Sequence, residues 1–373
     1  RIEFNGETLN MPGLGKYANH GDRDLRHGAS KARWNWMAEH GDTLDTIYDD
    51  LVLMRHEMAR KVGYDNFVEL GYQRMQRTDY NRADVARFRR QVAAEVVPVV
   101  SELRQLQRDR LGLDKIMAWD SGMYRKAGNP KPHGDHDWMI ERASEMFAAM
   151  DPELSNFFET LNRRGLLDLK TRDGKAGGGF CTFFPDHGVP FVFANFNGTD
   201  GDVRVFTHEI GHAFQSYTSR ANVPYDLVWP TYEAAEIHSM SLEYLTWHHM
   251  ELFFEEEADL FRWIHLAGSM TFLPYGVLGD HFQHEVYENP ACGAAARHDM
   301  WNKLERHYMP SLDWGDLDYP AKGGRWQLQT HFYRMPFYYI DYTLALTCAL
   351  QMWLLSRGDT AGTFKRSHTL CGL

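Results

Sequence analysis

Apolar positions in "DTLDTIYDDLVLMRHEMARKVGY" fall at Leu44, Ile47, Leu51, Met54 and Met58. Steps of three and four predict one helix with that stripe turned to the core, stopped by Gly63. "NRADVARFRRQVAAEVV" repeats the pattern with Val85, Phe88 and Val92, and Pro98 is expected to end or kink that helix. "GNPKPHGDHDW" carries Gly128, two prolines and Gly134 in close succession and reads as a loop. The stretch "KAGGGFCTFFPDHGVPFVFANFNGTDGD" breaks the helical habit. Aromatic and β-branched runs on either side of a Pro-Asp-His-Gly turn predict a short hairpin between Gly177 and Phe196. No repeat or Ser/Gly linker interrupts the chain, so a single compact, mainly helical unit is expected.

Composition narrows the function classes. The 373 residues are 43% hydrophobic and 24% charged, enough for a sizeable core. Acidic side chains number 51 against 40 basic, a net charge of −11, which argues against non-specific binding to nucleic acid or to an anionic membrane. No apolar run of about 18 residues suggests a membrane span. The chain opens on Arg1 without a signal-peptide pattern, so the natural N-terminus is expected upstream and the expected compartment is the cytoplasm. Cys181, Cys292, Cys348 and Cys371 form no CxxC pair and fit reduced thiols. Asn197-Gly198-Thr199 reads as a turn rather than a glycan site.

The chemistry concentrates in "FTHEIGHAFQ", Phe206 to Gln215. Asp202 is the expected N-cap of a helix running from Val203 to about Tyr217. His208 and His212 then differ by about 40° around the helix, one turn apart, so both imidazoles can meet one metal ion. Glu209, about 100° from His208, is placed to reach a metal-activated water rather than to ligate. Two histidines can also share a helix by chance, so the reading depends on a third ligand. A glycine three residues and a histidine six residues after His212 would supply one pattern, but Gln215 and Thr218 stand there. A glutamate on a following helix is the other route. "WPTYEAAEIHSMSLEYLTW" offers Glu233, Glu236 and Glu243. Glu236 and Glu243 share a face, about 20° apart, so one could ligate while the other braces a histidine ring.

HEIGHAFQSYTSR, PTYEAAEIHSMSLEYL and HFYRMPFYYIDYTLA together resemble the oligoendopeptidase F branch of the thimet oligopeptidase/neurolysin-like zinc peptidases. KVGYDNFVELGYQRM, GNPKPHGDHDW, GGGFCTFFPDHGVPFVFANFNGT and FLPYGVLGDHFQHEVYENP extend the resemblance over essentially the whole chain. It implies a mainly α fold, a helical neurolysin-like zincin with a small β-sheet beside the HExxH helix and a deep substrate channel. Residues 1–373 would form a zinc metallopeptidase catalytic domain, with further N- and C-terminal parts of the family protein lying outside it. The resemblance makes His208, His212 and Glu236 the ligands of one Zn2+ per chain, Glu209 the general base and acid, and Glu243 a brace behind a ligand. It also implies that His331, Tyr339 and Tyr342 bind the substrate and its oxyanion, with Tyr338 as a further substrate contact.

The implied reaction is endoproteolysis of short oligopeptides by a zinc-bound water that Glu209 deprotonates. A carboxypeptidase or dipeptidyl carboxypeptidase on the same scaffold is the second enzymatic reading. A helical binding protein with a structural zinc is the non-enzymatic one, disfavoured because structural sites are usually closed by four protein ligands. The hairpin is expected to bind peptide by strand addition, with Gly178, Gly179 and Phe193 as contacts. His133 and His136 lie in a Pro/Gly loop, and His281 and His284 share a helix face without a third ligand, so both pairs read as structural. His248 and His249 are adjacent and point apart. Gly177 to Gly179 lack the Gly-Lys-Ser/Thr of a phosphate loop.

Overall fold

The computed structural model describes residues 1–221, 225–359 and 362–364; Cys371 lies outside them. Among the described residues the chain is mainly helical with two small sheets. It divides into two compact units, each assembled from separate stretches of sequence. The first comprises Arg1–Thr8, Tyr17–Gly128 and Leu266–Thr343, and the second Leu9–Lys16, Asn129–His265 and Leu344–Leu373. Among the described residues no helix is long and apolar enough to cross a membrane.

The first unit opens with the strand β1 (Ile2–Phe4) and all but the last residue of β2 (Glu7–Leu9), and is otherwise helical. Its longest helix, Arg23–Lys61, overturns the expected stripe. Ile47 and Met54 are 45% and 58% exposed, whereas Tyr48 and Val52 are 0% and 1% exposed. Periodicity located the helix, but the buried face is rotated by one residue. The polar Asp45 belongs to that face because it pairs with the buried Arg297 at 3.3 Å. Pro98 does not end its helix. Val92–Val96 form a π turn, and Pro98 sits in the first turn of Val97–Leu111, where a missing N–H costs little. Trp301, Trp326, Phe282 and Phe332 pack edge and face around the centre of this unit.

The second unit holds a three-stranded sheet. The expected hairpin is present as β4 (Phe180–Phe184) antiparallel to β5 (Val189–Phe196). A strand not anticipated, β3 (Leu167–Lys170), pairs parallel to β5 on its other side, giving the order β3-β5-β4. Along β5, Val192, Ala194 and Phe196 face the core, while Phe191, Phe193 and Asn195 face the other way, the period of two that a pleated strand imposes. Phe196 meets Phe206 edge-on at 6.2 Å between ring centroids, which seats the sheet on the next helix.

That helix spans Asp200–Ser219, so it begins before the expected start, and Thr199 rather than Asp202 holds the capping position. Asp202 turns back instead. Its carboxylate accepts from the backbone N–H of Asn197 at 3.0 Å and of Gly198 at 2.7 Å, closing the turn between β5 and the helix. Burial pushes its carboxyl up to about 6 despite those donors.

Candidate metal centre

The helices Asp200–Ser219 and Tyr232–Leu245 cross at Gly211. A Cβ on Gly211 would stand 2.5 Å from Ser239 Cα and 3.0 Å from the His238 carbonyl oxygen. Only a glycine lets the two backbones approach so closely. The approach brings Glu236 across to His208, three residues before Gly211, and His212, one residue after it. Glu236 Oε2 lies 3.2 Å from His208 Nε2 and 3.4 Å from His212 Nε2. The ligating atoms of His208, His212 and Glu236 all fall within 4.8 Å of one another, close enough to hold one metal ion.

The three glutamates left open by spacing separate cleanly. Glu236 is 1% exposed and faces both imidazole Nε2 atoms, with Ser239 Oγ donating to its Oε2 at 3.0 Å. Glu243 lies behind His208, accepting from its Nδ1 at 2.8 Å. Glu233 joins neither arrangement. Burial works against a charged His208, but Glu236 and Glu243 outweigh it and raise its affinity for a proton well above the ordinary value. Burial likewise raises both carboxyls, yet His212 and His208 hold Glu236 well below the usual range, and His208 and His265 hold Glu243 at about 2.

A metal ion fits this donor set. Four ligands about 2.1 Å from a tetrahedral ion lie about 3.4 Å from one another, close to the nitrogen–oxygen separations observed. Two imidazoles and one carboxylate suit zinc and leave a coordination position for a reactant.

Glu209 completes the centre. It is 6% exposed, and its Oε2 is buried without a hydrogen-bond partner. Burial raises its carboxyl above the ordinary value, and the charges of His208 and His212 counteract only part of that. Gly179 makes room for it, since a Cβ there would stand 3.0 Å from Glu209 Oε1 and 3.4 Å from the Phe193 carbonyl. Gly178 has φ +94°, a conformation that favours glycine. The Asn195 amide donates to the carbonyls of Ala176 at 2.9 Å and Gly178 at 2.8 Å, which ties this glycine loop to β5. Phe193 sits on the central strand, its ring stacked on Phe180 at 4.8 Å and under the Lys175 ammonium at 4.4 Å. The edge strands of this sheet are β3 and β4, and within the hairpin the edge is β4.

The aromatic candidates belong to the first unit and gather around His331. Tyr342 Oη is 3.3 Å from His331 Nε2, and the Tyr338 ring stacks on the imidazole at 6.1 Å and 18°. Tyr338 and Tyr342 are half-buried. Tyr339 is buried, with its ring edge-on to Tyr275 at 5.8 Å, and burial raises its hydroxyl well above the ordinary value. The segment is turned at Phe337, which has φ +68°. That conformation is held by Gln283, which accepts from the Phe337 N–H at 2.8 Å, and by Arg77, which donates to the Phe337 carbonyl at 2.6 Å.

Several residues near the centre carried no signal in the sequence: Gly211, His265, Trp247 and Trp229. The Trp229 ring lies 5.9 Å from the His212 ring. Each acts through a tertiary contact that spacing does not encode. The pairs set aside as structural behave so: His136 bonds Asp137, His281 meets Tyr308, and His284 lies between Arg89 and Tyr72.

Comparisons with known proteins cover the whole chain. The sequence profile described as peptidase family M3 matches residues 16–370. A structure of a provisionally assigned oligoendopeptidase F superposes with a TM-score of 0.98 at 46% identity, covering 100% of this chain and 66% of that one. "PZ peptidase A with inhibitor 2" gives the same values. A provisionally assigned oligoendopeptidase F from Bacillus anthracis str. Ames gives a TM-score of 0.91 at 43% identity, covering 100% of this chain and 64% of that one. The chain therefore spans just under two thirds of the length of these structures. Comparison with curated proteins gives no match. With the profile running over nearly every residue and the HEIGH and Glu236 segments folded against each other, this chain belongs to peptidase family M3.

Proposed function

We propose that residues 1–373 form the catalytic domain of a zinc endopeptidase that cleaves short peptides. His208, His212 and Glu236 hold one Zn2+, Glu243 braces His208, and Glu209 moves the proton. The observation that carries this reading is the buried Glu209 carboxylate, its Oε2 without a hydrogen-bond partner, beside three converging ligand atoms. A structural centre would have no use for such a carboxylate, because an unsatisfied buried acceptor costs stability. Membership of a peptidase family, and a relative described with a bound inhibitor, support the same reading.

Zinc bound there supplies Lewis acidity, polarising a carbonyl oxygen and acidifying water. Glu209 accepts a proton from the attacking water and delivers it to the leaving amine. Burial raises its proton affinity above the ordinary carboxylate value, which helps it hold the proton between the two transfers. By resemblance to the family, His331 with Tyr342 or Tyr339 donates to the developing oxyanion, and Tyr338 contacts the substrate. A tyrosine hydroxyl is a neutral donor suited to that task. The open edge of β4, entered through Gly178 and Gly179, receives the peptide as an added strand, with Phe193 supporting it from β5. Main-chain pairing reads no particular sequence, so broad tolerance and a preference for extended peptides follow.

Zinc content together with an assay on internally quenched peptides tests the proposal. One zinc per chain and cleavage of peptides blocked at both termini are expected. Cleavage that requires a free C-terminal carboxylate would replace the endopeptidase by the carboxypeptidase reading, and zinc without hydrolysis of any peptide would leave the binding protein.

A further inference from the structure

Behind His208 the hydrogen bonds continue past Glu243. His265 Nε2 lies 2.8 Å from Glu243 Oε2, and Trp247 Nε1 donates to His265 Nδ1 at 3.0 Å. An indole nitrogen is a donor only. His265 Nδ1 must therefore accept, which leaves the proton of the neutral ring on Nε2, aimed at Glu243. With that oxygen occupied, Glu243 Oε1 accepts from His208 Nδ1–H at 2.8 Å. With Nδ1 committed to that bond, the atom of His208 left to ligate an ion is Nε2, which faces Glu236 and His212.

His265 is 4% exposed and Trp247 is 6% exposed. The His265 ring is clamped in place by Tyr244, stacked on it at 5.0 Å with an interplanar angle of 8°. The four groups form one directed chain of three hydrogen bonds, running from Trp247 through His265 and Glu243 to His208. Its polarity is set at the indole end, where the role cannot be reversed.

We infer that His265, with its tautomer fixed by Trp247, is a positioning residue of the metal centre: it orients Glu243 and so presents His208 to the ion as a neutral Nε2 ligand. The inference rests on the metal centre proposed above. Without the His265 donor, Glu243 is free to rotate, and His208 loses the partner that fixes both its ring plane and its tautomer. Partners behind a metal ligand commonly tune affinity about 10- to 100-fold.

The test is the zinc dissociation constant, measured by chelator competition on the 373-residue chain, alongside melting temperature and the visible spectrum of the cobalt-substituted protein. His265→Leu should weaken zinc about 10- to 100-fold and alter the cobalt spectrum. His265→Gln carries an amide N–H at a similar reach and should restore affinity to within a few-fold of wild type. Trp247→Phe keeps the packing, removes the donor and should weaken zinc by less than His265→Leu does. His212→Ala tests the centre itself and should abolish stoichiometric binding. If His212→Ala abolishes binding while His265→Leu and Trp247→Phe keep the wild-type constant, the centre stands and the inference is overturned. If His212→Ala has no effect, the centre is elsewhere and the inference falls with it. Should His265→Leu fail to fold, the Trp247→Phe constant decides: weaker than wild type upholds the inference, and equality overturns it.

Discussion

Gly211 lies directly against Ser239, so close that a Cβ on Gly211 would sit 2.5 Å from the Ser239 Cα. The obstacle is backbone, which cannot swing aside as a side chain can. The contact joins the helix carrying both histidines to the helix carrying Glu236. Gly211→Ala should therefore push the helices apart, destabilise the protein by about 1–3 kcal/mol through overpacking, and weaken zinc. Denaturant unfolding and zinc titration check this; wild-type stability with wild-type affinity would show that the helices have slack.

Gly179 bears on Glu209 rather than on the ligands. A methyl group there meets Glu209 Oε1 at 3.0 Å and the Phe193 carbonyl at 3.4 Å. Gly179→Ala should retain one zinc per chain yet lower kcat at least several-fold, because the carboxylate must move. Equal kcat in variant and wild type would detach the glycine loop from the chemistry.

Glu209→Gln should keep the fold and the metal and lose nearly all hydrolysis, since an amide accepts a hydrogen bond from water but not its proton. Near-normal turnover in a variant preparation free of wild type would remove Glu209 from the mechanism.

The charged groups around His208 predict how pH acts. Glu236 and Glu243 raise its proton affinity against the cost of burial, so a zinc ion held there as proposed would compete with a proton. Calorimetry at pH 7 in buffers of different ionisation heat should find proton release on zinc binding, with affinity rising as pH rises. Glu243 is the opposite case, an acid lowered from 4.5 to about 2 by folding. A lowered carboxyl contributes stability that is present above its unfolded value and lost as pH falls through its folded one. The advantage of the metal-free wild type over Glu243→Gln should thus be full at pH 6 and fade between about 4.5 and 2. An advantage that grows on acidification would contradict the assignment.

In the first unit, Arg77 and Asp341 pair with both side chains 0% exposed. Arg77 also holds the Phe337 carbonyl beside the His331 segment. Asp341→Ala leaves a buried unpaired cation and should cost about 3–5 kcal/mol in urea unfolding. A loss below about 1 kcal/mol would mean that the guanidinium finds water or another partner.

Much of this arrangement was legible in the chain, for reasons that also explain what was not. Four-residue spacing places His208 and His212 on one helical face whatever surrounds them, and turn residues between aromatic runs mark β4 and β5. Spacing alone left Glu236 and Glu243 equivalent, because seven residues return to the same face; only the crossing at Gly211 decides which reaches Nε2 and which reaches Nδ1. The strand β3 is four residues long and finds its parallel partner more than twenty residues later, so no local signal announces it. On Arg23–Lys61 the apolar stripe has the right period and the wrong face, because Asp45 is buried by an ion pair to Arg297 that the local sequence does not show. His265 stands 22 residues beyond Glu243 on another helix, and its tautomer depends on a tryptophan that reads as core.

The location of the ion tests the account most directly. Crystals of the zinc-loaded protein, measured on either side of the zinc absorption edge, should show one anomalous peak per chain, about 2.0–2.2 Å from His208 Nε2, His212 Nε2 and a Glu236 oxygen. A peak elsewhere, or one at this centre with Glu236 turned away from it, would contradict the account.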